Sequence, residues 1–320
     1  MRTLFLMTSL CIIMSCAPQV YLFPDTRAPL KEFTLQGQGA DKVLVISVNG
    51  LIRHTSREGW LRESPGTLQE VVAHLKQAEK DKHVKAVVLK VDSPGGTTTA
   101  SDMLYHELVE FKQHTGAKLV AVMMNMATSG GYYISLPADR IVAHPTSITG
   151  AVGVIFMRPG VSALMERIGM AVEINKSGKN KDMGSPFRKP SPEEQVIFQE
   201  VTDGLAKRFF DLVMQHRHLT PEATTRIATG RIFLAHEALQ LGLVDSIGYL
   251  SDAIKMAQSL TGLPEDARVV VYRRQEYGND NLYNSASQGS DGGGALLDLG
   301  LPKPLSTGFY YLWPAYLQGP

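Results

Sequence analysis

Residues 42–52 (KVLVISVNGLI), 84–91 (VKAVVLKV) and 118–124 (KLVAVMM) are runs of β-branched and other apolar side chains, each about one strand long. A run that is apolar on both faces reads as a strand covered on both sides, which means a parallel sheet packed under helices. The intervening segments supply those helices. Leu68, Val71, Val72, Leu75 and Ala78 recur at helical spacing after the first run, as do Ala100, Met103, Leu104, Leu108 and Phe111 after the second. Strand alternating with helix predicts an α/β domain with crossover connections. Further strands are expected at 140–143, 170–174 and 269–272. A long amphipathic helix is expected over 192–216, with Ser191 as its cap and Glu194 closing a capping box, and another begins at Thr220-Pro221.

The 320 residues leave room for one large or two modest domains, and 44% hydrophobic with 20% charged residues is an ordinary globular balance. Thirty-two basic against 31 acidic side chains leave a net charge of +1, so the whole chain offers no electrostatic reason to seek nucleic acid. Both cysteines, Cys11 and Cys16, fall near the N-terminus. The folded part therefore has no thiol for a disulfide, a thiolate zinc site or cysteine catalysis. No His-Glu-x-x-His is present, and His216 and His218 lie two apart on the expected helix, facing different ways, so no metal is expected. The dinucleotide fingerprint and the P-loop lysine are missing as well.

The chain opens with Arg2, an apolar run over 4–14 and then Ser15-Cys16-Ala17-Pro18. Such a run fits the core of an export signal and is too short to span a bilayer. Ile13-Met14-Ser15-Cys16 is similar to the lipobox of bacterial lipoproteins, which implies lipidation at Cys16. The expected organisation is a signal or lipobox segment at 1–16, a proline-containing tether at 17–41, a catalytic domain at 42–275, and a tail at 276–320. That tail is a Gly/Ser/Asn/Asp-rich linker followed by the aromatic segment 309–317. The aromatic segment reads as a terminal strand docking on the same chain or a neighbour, or as an anchor at a membrane interface.

Two glycine turns carry the candidate chemistry. Asp92-Ser93-Pro94-Gly95-Gly96 follows an expected strand and precedes a helix, where bare backbone N–H groups can approach an oxyanion. Met126-Ala127-Thr128-Ser129-Gly130-Gly131 repeats the arrangement and adds the Ser129 hydroxyl as a nucleophile. A nucleophilic serine needs a base. His144 lies near in sequence, and Lys176, Lys179 and Lys181 cluster in a basic segment. A lysine titrates at about 10.4 when unperturbed, so a base role needs its pKa lowered by about 3 units. Spacing alone leaves the choice among these lysines open.

Taken together, Asp92–Gly96, Ser129-Gly130-Gly131-Tyr132-Tyr133, Thr149-Gly150-Ala151-Val152-Gly153-Val154, the Ser177-Gly178-x-x-Lys181-Asp182 segment, Gly230-Arg231 and residues 238–248 resemble the signal peptide peptidase A family in its short form, over about residues 42–275. The resemblance implies an α/β, crotonase-like (Clp protease-like) fold of repeated strand-strand-helix units. It also implies a membrane-associated serine endopeptidase in which Ser129 is the nucleophile and Lys181 the general base. The oxyanion hole would be formed by the amides of Gly130 and Gly95, with Gly96 as the alternative. Ala151 stands where relatives often carry a serine that helps hold the lysine, a support that falls here to Thr149 or Ser147. The implied assembly is a homo-oligomeric ring whose sites are shared between subunits. The implied substrates are cleaved signal peptides and other unfolded apolar segments, met on the extracytoplasmic side of a membrane, with no cofactor. A catalytically silent membrane scaffold and a crotonase-type acyl-CoA enzyme share the fold and are the alternatives.

Overall fold

In the computed structural model, which describes residues 28–55, 57–59, 62–284 and 307–315, the three apolar runs become neighbouring parallel strands at the centre of one sheet. They are β2 (Gln38–Asn49), β5 (Val84–Ser93) and β7 (Lys118–Thr128). β8 (Arg140–Ala143) and β12 (Ser246–Ile247) extend the sheet beyond β7, while β13 (Ala267–Arg273) and β1 (Lys31–Gln36) extend it beyond β2. The pairings are parallel except that of β1 with β13 and that of β9 (Ile148–Gly150) with β11 (Ile232–Leu234). β9 lies beside the C-terminal end of β7 and so adjoins the turn that follows it.

Period-two alternation splits the apolar runs into two cores. Leu44, Ile46 and Val48 point to one face, under α1 (Thr67–Glu79) and α2 (Thr98–Thr115), where they meet Leu75, Leu104 and Phe111. Val43 and Val45 point to the other face, against Leu250, Ile254 and Ala257 of α8 (Leu250–Thr261). Thr97 caps α2, its side chain accepting from the amide of Ala100 at 3.3 Å, and Gly116 closes the helix at φ 70°. α5 (Pro192–His216) carries the expected Ser191–Glu194 capping box, and α6 (Pro221–Ile227) is capped by Thr220. The remaining helices are α3 (Gly130–Tyr133), α4 (Ser162–Ile168) and α7 (Ala235–Gln240), and a hairpin joins β3 (Arg57–Gly59) to β4 (Arg62–Ser64). This is the α/β arrangement of parallel strands and crossover helices expected from the sequence.

Three segments differ from the sequence expectations. Part of the expected tether, 31–36, is instead the edge strand β1, because Phe33 and Leu35 alternate and pack on the α8 core. Residues 170–174 form no strand, since Met170, Val172 and Ile174 are exposed and have no strand beside them. Within the expected tail, β14 (Gly308–Leu312) docks on this same chain between β10 (Ile155–Met157) and β6 (Gly95–Thr97). The expected signal run 4–14, Cys16, and residues 285–306 of the expected linker lie outside the described residues. Among the described residues, no helix is long and apolar enough to cross a membrane, and no group of acidic, histidine or cysteine side chains is placed to hold a metal ion.

Candidate active site

β7 delivers Ser129 into a sharp turn at φ 52° and ψ −114°, a conformation that a side chain opposes and that glycine tolerates. Two backbone bonds hold it there. Its N–H donates to the Gly150 carbonyl at 2.8 Å, and its carbonyl accepts from Tyr133 N–H at 2.9 Å. The side chain is only 1% exposed, and its hydroxyl makes no cap bond to α3, which leaves the Oγ–H available for chemistry.

The residues after Ser129 are glycines because the β5–β6 turn presses against them. A Cβ on Gly130 would meet Ser101 Oγ at 2.5 Å, Gly95 Cα at 3.0 Å and Gly96 N at 3.1 Å, and one on Gly131 would meet the Ser93 carbonyl at 2.7 Å. Across the contact, a Cβ on Gly96 would lie 2.0 Å from the Ile52 carbonyl. The two glycine turns singled out in the sequence are thus one structure. Within it the amides differ: Gly95 N–H donates to Ser93 Oγ at 3.1 Å, and Ser93 Oγ donates to the Gly50 carbonyl at 2.7 Å. The Gly95 amide is therefore engaged, whereas Gly130 opens α3, where amides have no intrahelical partner.

The other sequence candidates are dispersed. Ser147 Oγ donates to the carbonyls of Met123 (2.8 Å) and Met124, and Thr149 Oγ1 donates to that of Ala127 at 2.7 Å. Both buried hydroxyls therefore fasten the 147–150 segment to β7. Ala151, at φ 50°, is held by its N–H on the Arg231 carbonyl at 2.8 Å. His144 bonds the Thr146 hydroxyl at 2.9 Å and meets the Tyr249 ring edge-on.

The three lysines separate clearly. Lys176 pairs with Asp182 at 2.8 Å and Lys179 pairs with Glu193, while Lys181 is exposed and makes no ion pair within the described residues. No hydrogen bond joins Lys181 to the buried Ser129 of the same chain. Its loop is pinned by Arg188, which grips both oxygens of Asp182 (2.8 and 2.9 Å) and also Glu194 at the start of α5. Hydrogen bonds from Arg188 and Lys176 hold Asp182 well below the usual carboxylate range, and Arg188 holds Glu194 at about 2.

An aromatic wall beside the turn escaped the sequence reading. Tyr133 stacks on Tyr311 of β14 at 5.0 Å and lies 4.8 Å from the Phe209 ring, while its hydroxyl donates to Asp102 at 2.6 Å. Burial, and then the neighbouring Asp102, keep Tyr133 protonated far above its ordinary range. The Tyr132-Tyr133 pair after the glycines was the available signal, but its partners are 76 and 178 positions further along the chain than Tyr133.

A buried serine in a strained turn beside bare backbone amides is an arrangement that can support nucleophilic attack on a carbonyl. The model of peptidase family S49 matches residues 111–264. A relative from Enterococcus faecium, named as a candidate signal peptide peptidase SppA, is 36% identical over 80% of this chain and 74% of its own length. The chain belongs to peptidase family S49 and is a serine peptidase. Protease 4 of Haemophilus influenzae is 31% identical over 83% of this chain, which spans 43% of that longer protein. The chloroplastic serine protease SPPA of Arabidopsis thaliana is 30% identical over 73% of this chain and 34% of its own. Among solved structures, a ClpP1 mutant from Listeria monocytogenes aligns with 66% of this chain at 15% identity and a TM-score of 0.41.

Proposed function

We propose that this peptidase is a membrane-associated endopeptidase with a Ser129–Lys181 dyad, and that each dyad forms between two subunits. The carrying observation is the contrast between the two residues: Ser129 is buried in a strained turn, whereas Lys181 is exposed on a loop that Arg188 holds in place. The same region displays Leu164, Ile168, Met170, Val172 and Ile174 to solvent. An apolar strip of that kind is the signature of a covered interface. A neighbouring subunit packed there receives the lysine and takes it out of water, an environment that disfavours a charged ammonium.

In the reaction, neutral Lys181 Nζ takes the Ser129 Oγ proton as the oxygen attacks the peptide carbonyl carbon. The amides of Gly130 and Gly96 receive the developing oxyanion, Gly96 replacing Gly95 because the latter's N–H is engaged by Ser93. The tetrahedral intermediate collapses, the protonated lysine gives its proton to the leaving amine, and an acyl-serine remains. Water, deprotonated by the same lysine, then hydrolyses the ester. Substrates are extended, unfolded and apolar, cleaved signal peptides among them, and Cys16 lipidation holds the enzyme on the extracytoplasmic side of its membrane.

The test is cleavage of a fluorogenic apolar peptide by the full chain and by S129A, K181A, K176A, K179A and H144A. Activity is expected to vanish with S129A and K181A alone. After subunit exchange, a mixture of S129A and K181A chains is expected to recover activity, since some mixed sites then hold both groups. Exchange without recovery sinks the shared site, and activity that survives K181A sinks the dyad.

A further inference from the structure

The peptide that joins Ser129 to Gly130 is trans and planar, so its carbonyl and its N–H point in opposite directions and turn as one unit. Tyr133 N–H donates to that carbonyl at 2.9 Å. The bond fixes the plane, and with it the direction of the Gly130 N–H on the opposite edge. The aim of the amide therefore depends on what holds Tyr133. α3 cannot supply this alone, because a single helical turn has too few hydrogen bonds to set its own direction.

Tyr133 is held by α2 and α5. Its hydroxyl donates to Asp102 Oδ1 at 2.6 Å, and the same oxygen accepts from Arg208 Nε at 2.9 Å and Nη2 at 2.6 Å. Bonds to a charged group are shorter and roughly twice as strong as neutral ones, so an oxygen that takes three donors is a stiff anchor. The buried Tyr133 ring meets Tyr105 edge-on at 5.6 Å and the Phe209 ring at 4.8 Å. Asp102 lies on α2, and the residue before it, Ser101, lies against Gly130: its Oγ is 2.5 Å from the point where a Gly130 Cβ would stand, and it donates to the Thr97 carbonyl at 3.0 Å. α2 thus bears on both ends of α3.

Resting on the oxyanion reading above, we propose that Asp102 and Tyr133 are positioning residues for the peptidase reaction. The Asp102 carboxylate holds the Tyr133 side chain, Tyr133 N–H holds the Ser129 carbonyl, and the Gly130 amide is thereby aimed at the developing oxyanion. Arg208 of α5 keeps Asp102 in the orientation this needs. Burial, and then Asp102, hold the Tyr133 hydroxyl protonated far above its ordinary range, so it remains a donor at neutral and alkaline pH. An amide that loses its aim binds the transition state less well and leaves the bound substrate unaffected, so the loss falls on kcat.

The test measures kcat and KM on a fluorogenic apolar peptide for the full chain and its Y133F, D102A, D102N and Y133F/D102A variants. Two inhibitors are compared: a peptide aldehyde, whose adduct with Ser129 places an oxyanion at the amides, and a reduced-amide peptide, which has no oxygen there. Y133F and D102A should each lower kcat by about 10- to 100-fold, hold KM within about twofold, and weaken the aldehyde by the same factor as kcat while the reduced amide binds as before. D102N keeps Oδ1 as an acceptor for the Tyr133 hydroxyl and should retain at least about a third of kcat. The double variant should lose no more than the worse single one, since both break the same bond. Y133F removes one oxygen and keeps the ring packing, which guards against a folding defect in D102A. Native kcat in Y133F, a loss confined to KM, equal weakening of both inhibitors, or additive losses in the double variant each overturn the proposal. A native chain that neither cleaves the peptide nor takes a fluorophosphonate label at Ser129 refutes the peptidase reading beneath it, whereas an active native chain matched by its variants refutes the positioning alone.

Discussion

The Ser129 amide donates to the Gly150 carbonyl at 2.8 Å, so the serine's strained turn is tied to a second turn whose next residue, Ala151, is also at positive φ. Neither conformation is one an alanine or serine adopts freely. Each is stabilised by tertiary bonds: Gly150 receives Ser129 on one side, and Ala151 N–H reaches the Arg231 carbonyl on the other. Ser129 is thus positioned by the sheet edge β9–β11 as much as by the strand that precedes it.

That strain is measurable. At φ 52° glycine pays no steric penalty, so S129G is expected to be more stable than S129A by about 1 kcal/mol, with both inactive. Thermal unfolding of the two variants decides it. Equal midpoints would mean that no strain is stored at this position.

The turn glycines are expected to tolerate nothing larger. A Cβ on Gly96 would lie 2.0 Å from the Ile52 carbonyl, so G96A must displace backbone. We expect a loss of about 2 kcal/mol or more in urea unfolding and at least about a hundredfold in kcat. G153A is the control, because nothing lies within 4 Å of its Cβ position. Similar losses in both variants would remove the steric argument.

Arg188 is expected to govern the Lys181 loop. Asp182 and Glu194 have depressed pKa values in the folded chain, so their bonds to Arg188 stabilise the loop above the ordinary carboxylate range and are lost as pH falls through the folded values. The loop should stay ordered at neutral pH and loosen on strong acidification. Hydrogen exchange over 177–190 checks this at pH 7 and at about pH 1.5, below the folded value of Glu194 and approaching that of Asp182. R188A should show the acid pattern already at pH 7 and lose about tenfold in activity while Ser129 still takes a fluorophosphonate label.

Glu70 supplies a second acid-sensitive contact, remote from the site. Burial pushes its carboxyl up, but hydrogen bonds from His74 and Arg274 outweigh burial and hold it at about 2. Its contribution is complete above the unfolded value of about 4.3 and fades as pH drops toward 2. The stability gap between the native chain and E70Q in urea should therefore be wide at pH 6 and narrow by pH 2.5. A gap that stays constant would assign the loss in E70Q to packing rather than to charge.

Much of the fold was legible because its signals are local. Val43 and Val45 against Leu44 and Ile46 give the strand period, Leu68 to Ala78 gives the helix period, and Ser191 with Glu194 marks a helix start, each within a few residues. β1 falls within the expected tether because three prolines precede it and its alternation spans only Phe33 to Leu35, a signal that becomes decisive only when β13 offers an edge. The 170–174 segment erred the other way. Its apolar residues suit a strand, but no neighbouring strand is there to receive their backbone groups.

The sequence by itself determined that Ser129 ends a buried strand in a glycine turn and that a second glycine turn follows another strand, because such turns need those residue types wherever they occur. Only the tertiary structure decided that the two turns touch, that the Gly95 amide is engaged, that Lys176 and Lys179 are paired while Lys181 makes no ion pair among the described residues, and that Tyr311 stacks on Tyr133. The physical reason is range. Torsional and steric preferences act between neighbours and can be read along the chain, whereas contacts between distant segments are set by packing the whole sheet and its helices at once.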